Sequence, residues 1–298
     1  MLDFPVSGVE TWWWFPLLVA FCISATTSLG GLSGAFLLLP FQVSVLGFTG
    51  PAVSSTNLLY NIVATPAGVA AIIREKRMVW PLALVLGAGT LAGVFLGAYV
   101  RIALLPDVRG FKLFVAIVLM YIAGRLLHSA LQRTSARKAA PTDRFEVTNP
   151  RVTLRHIGFA FHGEEFQLST PFIFLLSAVV GVVGTTYGIG GGAIIAPFLV
   201  SVFRVPVYAV SGPAFLSTFI SSVGGVVAYS LFDLLGLSHG LNLHPDWLLG
   251  LLLGVGGFCG IYLGSRLQRF VPARIIKLVI FAAISFVVVK YVVEFFQG

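Results

Sequence analysis

Apolar segments of helix length recur along nearly the whole chain, separated by short polar loops, and this limits the fold more than any other feature. About 20 apolar residues wound as a helix match the hydrocarbon core of a bilayer, roughly 30 Å thick. With 57% hydrophobic and 10% charged residues and a mean hydropathy of +0.97, the chain lies far from soluble domains, in which about a quarter of residues are charged. It reads as one helical membrane domain. The N-terminus carries Asp3 and Glu10 but no basic stretch ahead of an apolar one, so no signal peptide is expected.

The segments run to about residue 30, then 33–48, 51–73, 79–101 and 110–131, and after a polar stretch 170–187, 191–203, 207–231, 247–267 and 273–295. The second, at about 16 residues, makes roughly 24 Å of helix, short of a full crossing. It is expected to be a half-helix or a re-entrant arm. The organisation is therefore a first membrane repeat over 1–132, a basic linker over 133–169 and a second repeat over 170–298. In the linker, residues 152–166 alternate apolar and polar around a His-Gly pair, as a small hairpin does. His156, His162, Glu164 and Glu165 are read as solvated hairpin residues rather than metal ligands, and neither a metal nor another cofactor is expected.

The net charge of +8 comes from Lys and Arg at segment ends and in the linker, which is the positive-inside pattern rather than a nucleic-acid surface. Arg74, Lys76 and Arg77, the linker's Arg133, Arg137, Lys138, Arg144, Arg151 and Arg155, and Arg266, Arg269, Arg274 and Lys277 mark cytoplasmic loops. The 232–246 loop has no Lys or Arg and is placed outside, and both termini follow it there. Trp12, Trp13 and Trp14 suit the headgroup layer. Cys22 and Cys259 lie in apolar segments and give no disulfide.

The halves repeat. A shift of 157 puts Gly31 on Gly188, Gly34 on Gly191, Pro40-Phe41 on Pro197-Phe198, and Ala52-Val53-Ser54 on Ala209-Val210-Ser211. A shift of 167 aligns Trp80, Gly87, Gly89, Gly93 and Gly97 with Trp247, Gly254, Gly256, Gly260 and Gly264. The glycines of this second set are read as close helix contacts. Equivalent loops differ in charge, 74–77 basic and 232–246 not, so one repeat is expected to be inverted relative to the other. The predicted fold is an all-α polytopic membrane protein of two inverted repeats of about five helical segments each, with broken or re-entrant helices near Gly31 and Gly190. Secondary transporters built this way hold substrate near the midplane.

Each repeat has one break rich in glycine and hydroxyls: Thr26-Thr27-Ser28-Leu29-Gly30-Gly31-Leu32-Ser33-Gly34, and Thr185-Thr186-Tyr187-Gly188-Ile189-Gly190-Gly191-Gly192. Irregular backbone at membrane depth requires protein or water around it. A helix starting after such a break aims N–H groups and partial positive charge into the gap, which suits a small anion. The polar faces of the following spans, Asn57, Tyr60 and Asn61 and then Ser217, Thr218 and Ser221, add neutral donors. The candidate substrate residues are thus Thr27, Ser28, Gly31, Ser33, Gly34, Asn57, Tyr60, Asn61, Thr185, Thr186, Tyr187, Gly190, Gly191, Gly192, Ser217, Thr218 and Ser221.

Every Asp and Glu falls in a loop or near a segment end, and no His lies mid-span. A carboxylate proton relay is not expected, nor is an enzyme, for want of a membrane-embedded nucleophile, base or metal cluster. The partners implied are a small anionic substrate and the lipid bilayer, with homo-oligomerisation left open. An anion channel remains a second reading.

The Gly188-Ile189-Gly190-Gly191-Gly192 run followed by Pro197-Phe198, its partner from Gly31 to Phe41, and two halves around a basic linker resemble the sulfite exporter TauE/SafE family over essentially the whole chain. The first-half copy departs from it, with Leu32-Ser33-Gly34 in place of Ile189-Gly190-Gly191. The resemblance implies a bacterial inner-membrane transporter of a small sulfur-containing anion, such as sulfite, sulfoacetate or another organosulfonate, with a non-sulfur carboxylate as the alternative.

Overall fold

A computed structural model describes residues 2–131, 147–161, 163–238, 240–268, 270–271 and 273–297. Of the residues named above, Arg133, Arg137, Lys138, Arg144, His162 and Arg269 lie outside this set. Each half of the chain is a short helical hairpin followed by three long helices. In the first half these are α1 (Trp14–Leu29) and α2 (Ala35–Ser44), then α3 (Ala52–Arg74), α4 (Trp80–Ala103) and α5 (Val108–Leu131). In the second they are α6 (Thr170–Tyr187) and α7 (Gly192–Val202), then α8 (Val207–Leu234), α9 (Trp247–Leu267) and α10 (Ala273–Gln297). Among the described residues, seven helices, α3 to α6 and α8 to α10, are long and apolar enough to cross a membrane.

Apolar runs set these helices, and glycine interrupts them. Gly31 (φ +75°), Gly188 (φ +90°) and Gly190 (φ +72°) occupy the left-handed region, where a side chain is strained. The chain reverses there. Phe15 at the start of α1 meets Phe41 near the end of α2, with ring centroids 5.7 Å apart. Phe172 at the start of α6 packs against Phe198 near the end of α7 at 6.5 Å. Ten residues in α2 and 11 in α7 span about 15–17 Å, half the hydrocarbon thickness. The short segment expected at 33–48 is thus a half-helix, trimmed at both ends.

Packing in one half recurs in the other. α1 lies on α9 as α6 lies on α4, α3 on α9 as α8 on α4, while α5 meets α10 and α3 meets α8. The close contacts even share a register. Cβ atoms built at Gly89, Gly93 and Gly97 would lie 2.6, 2.1 and 2.4 Å from the carbonyl oxygens of Phe174, Ala178 and Val182. At Gly256, Gly260 and Gly264 the nearest carbonyls are those of Leu17, Phe21 and Ala25, at 2.1, 2.5 and 2.3 Å. These glycines therefore set backbone-to-backbone approach. Outward from the bundle, Leu84, Leu175 and Val255 are among the large apolar side chains left for lipid.

The linker's hairpin is a three-stranded antiparallel sheet, β3 (Val147–Val152), β4 (His156–Phe161) and β5 (Glu164–Ser169), in sequential order. Alternation buries Ile157, Phe159, Phe161 and Leu168. Val147 N–H donates to the Lys76 carbonyl at 3.4 Å, placing the sheet by the α3–α4 turn. A second hairpin, Leu2–Phe4 against Val9–Thr11, was not expected from the sequence. It is latched to the far end of the molecule: Asp246 accepts from Ser7 N and Oγ at 3.1 and 2.9 Å and caps α9 through Leu249 N at 3.1 Å.

Candidate functional site

The start of α2 and the break before α7 meet across α3. Asn57, fully buried, donates from Nδ2 to the carbonyls of Ala35 and Gly188, each at 2.9 Å, and accepts at Oδ1 from Gln42 Nε2 at 3.0 Å. One turn on, Asn61 donates to the Ile189 carbonyl at 3.1 Å. Tyr187 donates to the Phe36 carbonyl at 2.8 Å. The first turn of α2 and the break before α7 thus form one polar seam beside α3 and α8.

The starts of both half-helices point N–H groups at hydroxyls. Gly34 N donates to Tyr60 Oη at 3.2 Å, and Tyr60 shares a 2.7 Å bond with Ser24 Oγ. Gly191 N donates to Ser221 Oγ and Gly192 N to Thr218 Oγ1, both at 3.1 Å. Ser217 Oγ lies 3.2 Å from Thr90 Oγ1. The expected donors Gly34, Gly191 and Gly192 therefore carry neutral partners already, and an anion would take the place of the hydroxyls. Asn57 has no N–H left for a ligand, since both are held by carbonyls.

Other expected residues face elsewhere. Thr27 bonds the Ser24 carbonyl and Ser28 that of Ala25 within α1, Ser28 lying where α9 approaches at Gly264. Thr186 bonds the Gly97 and Val182 carbonyls. Gly31 sits away from the α3 seam, against Ser211 and Val207 at the start of α8. By contrast Ser33 Oγ, Asn61 Oδ1, Thr185 Oγ1 and Ser222 Oγ are buried without a hydrogen-bond partner. An orphaned buried polar atom costs about 1–3 kcal/mol; the three hydroxyls could donate to an anion, whereas Asn61 Oδ1, like the unpartnered Gln42 Oε1, accepts only and calls for a donor such as water. Gly190 brings two hydroxyls together: a Cβ there would lie 3.2 Å from both Ser221 Oγ and Ser222 Oγ.

With this geometry the comparison with known proteins is decisive. The sulfite exporter TauE/SafE family matches residues 16–291. The chain belongs to the sulfite exporter TauE/SafE family. It is 26% identical over 274 residues to a probable membrane transporter protein, YunE, of Bacillus subtilis (strain 168), covering 89% of this chain and 92% of that one. No solved structure matches.

In this TauE/SafE chain the seam also recruits residues that the sequence did not single out. Gln42 completes Asn57, Thr90 reaches Ser217 from α4, and Ser54 Oγ donates to the Thr186 carbonyl at 3.2 Å while its backbone abuts Gly188. Ser54 in turn accepts from Arg101 Nε at 3.3 Å, and the Arg101 guanidinium lies over the Phe111 ring, 3.9 Å from its centroid. Arg101 is 1% exposed. The repeat alone held the signal, for Ser54 aligns with Ser211 and Arg101 with Gln268, and both partners lie beside Gly31. Among the described residues no group of three or more His, Cys, Asp or Glu could hold a metal ion.

Proposed function

We propose that this chain is a secondary transporter of a small sulfur-containing anion such as sulfite, sulfoacetate or another organosulfonate, bound at mid-depth between two inverted repeats. One observation carries the reading: two half-helices start at a shared seam that holds three buried hydroxyls without partners, those of Ser33, Thr185 and Ser222, in a chain otherwise built for lipid. Half-helix N-termini beside such groups provide for an anion without a buried carboxylate. The recurrence of glycine contacts at equivalent positions supports a two-fold relation between the repeats, and the different charge of the equivalent 74–77 and 232–246 loops is what makes them inverted in this reading. The substrate class follows the family's description.

In this proposal Ser221, Thr218 and Tyr60 hold the α7 and α2 donors when no anion is bound, and release them to it. The exchange replaces one hydrogen bond by a charge-assisted one, roughly twice as strong. The chain lies in a bacterial inner membrane with the linker cytoplasmic and both termini outside. Uptake into proteoliposomes tests the transport step. Saturable sulfite or sulfoacetate flux with counterflow is expected, and an unsaturable current that follows voltage would make the protein a channel.

A further inference from the structure

Among the described residues two Arg side chains are buried, Arg77 at 4% and Arg101 at 1% exposure. Arg77 pairs with Glu75 at 2.6 Å. Arg101 forms no ion pair with any described residue. The carboxylate that acts on it through space, Asp107 in the α4–α5 turn, is exposed and accepts from Gly110 N at 2.6 Å. The direct partners of Arg101 are neutral: the Leu105 carbonyl, Ser54 Oγ at 3.3 Å and the face of Phe111. A buried cation without counter-charge is unfavourable unless another group supplies the negative end.

Here that end is the C-terminus of α6, whose last-turn carbonyls have no partner within the helix. The Thr185 carbonyl accepts from Tyr229 Oη at 3.1 Å, and that of Thr186 accepts at 3.2 Å from Ser54 Oγ, the hydroxyl that Arg101 holds. A helix carries roughly half a unit of negative charge at its C-terminus and half a unit of positive charge at its N-terminus. α6 ends at Tyr187 and α7 begins at Gly192, so at the second break the two ends lie close together and largely cancel for a ligand between them. The charge of Arg101 offsets the first and leaves the second, where Gly191 N, Gly192 N and the buried, unpartnered Ser222 Oγ gather at Gly190 and the start of α7. The first break has no such charge. Gln268 stands at the position equivalent to Arg101, and Ser211, the equivalent of Ser54, bonds the Tyr208 carbonyl of its own helix at 3.4 Å. The Thr27 and Ser28 carbonyls at the end of α1 are taken by the backbone N–H groups of Gly30, Leu32 and Gly31.

We infer that Arg101 makes the second break selective for negative charge. It is a positioning residue, acting through Ser54 and the end of α6 rather than by touching the substrate, and it frees the N-terminus of α7 to act on an anion. The inference deepens the anion-carrier reading and rests on it. Charge recognition then belongs to the second break, and the first contributes neutral hydrogen bonds. The attraction grows with the net negative charge of the substrate, so sulfoacetate gains most, methanesulfonate less and zwitterionic taurine least.

The test uses the full chain, as wild type and as Arg101→Gln, Arg101→Lys and Asp107→Asn. Calorimetry in detergent gives the Kd of sulfoacetate, methanesulfonate and taurine, and flux into phosphatidylcholine vesicles gives KM. Arg101→Gln is expected to raise both constants for sulfoacetate about tenfold or more, the order expected when a unit charge about 10 Å away is lost at an effective dielectric constant of ~20. Methanesulfonate should lose less and taurine hardly change. A merely structural role would not give that order, since a displaced helix end weakens all three ligands alike. Arg101→Lys, which keeps the charge, should retain the wild-type order of preference. Asp107→Asn keeps an acceptor for Gly110 N on an exposed side chain and removes the carboxylate that opposes Arg101, so it should tighten sulfoacetate binding and leave taurine unchanged. This variant decides the matter if Arg101→Gln does not elute as the wild type does. Equal changes for the three ligands in Arg101→Gln, no change in any of them, or sulfoacetate bound no more tightly by Asp107→Asn would overturn the role of Arg101 and leave the carrier reading standing. A wild type with no saturable flux of sulfoacetate or methanesulfonate overturns both.

Discussion

Gly192 opens α7 with no room for a side chain. A Cβ there would lie 2.0 Å from the Ala214 carbonyl oxygen and 2.4 Å from Thr218 Oγ1. The first of these atoms is backbone and cannot swing away, so Gly192→Ala must push α7 off α8. A loss of about 3 kcal/mol is expected, read as a lower midpoint in thermal denaturation of the detergent-purified protein. Asn57 makes the opposite case, a position at which removing atoms does the damage. Asn57→Ala would leave the Ala35 and Gly188 carbonyls and Gln42 Nε2 buried without the bonds they now make. At about 1–3 kcal/mol per orphaned group it should destabilise the protein more than Asn61→Ala, which removes the bond to one carbonyl. Equal midpoints for the two variants would mean that Asn57 does not tie α2 to the break before α7.

At the scale of elements, α4 packs on α6 through the same positions as α9 on α1, so the two interfaces should respond alike to the same change. Gly93→Ala brings a Cβ to 2.1 Å from the Ala178 carbonyl, and Gly260→Ala to 2.5 Å from that of Phe21. Each is expected to lower the midpoint by an amount similar to the other, whereas Gly124→Ala on α5, where a Cβ would meet nothing within 4 Å, should leave it unchanged. These glycines, the breaks and the limits of the long helices were legible because each is written locally, in a repeat spacing or an apolar run. The N-terminal hairpin was not, since three residues per strand is too short an alternation to stand out and its latch lies on Asp246, far along the chain. Arg101 lies toward a segment end, where Lys and Arg ordinarily snorkel, and only the tertiary structure shows its guanidinium buried against Ser54 and Phe111. The bonds of Asn57 to the start of α2 and to the break before α7 are likewise invisible in the spacing of α3.

For the whole molecule the basic residues are unequally divided between the two ends. The end that carries the linker sheet also carries Arg74, Lys76, Arg77, Arg151 and Arg155, together with Arg204 between α7 and α8. The opposite end holds the N-terminal hairpin with Asp3 and Glu10 and the α8–α9 connection with Asp246, and fewer basic residues, Arg109 and Lys112 at the start of α5 and Lys290 near the end of α10. Under the positive-inside rule the excess of basic residues at the linker end agrees with the proposed orientation, in which the linker is cytoplasmic. Cysteine labelling in intact cells tests it from two exposed positions, Leu154 at 92% and Leu234 at 83% exposure, after Cys22 and Cys259 are changed to Ser. Leu234→Cys should react with a membrane-impermeant maleimide in intact cells, and Leu154→Cys only after permeabilisation. The reverse pattern would place the linker outside and overturn the proposed orientation.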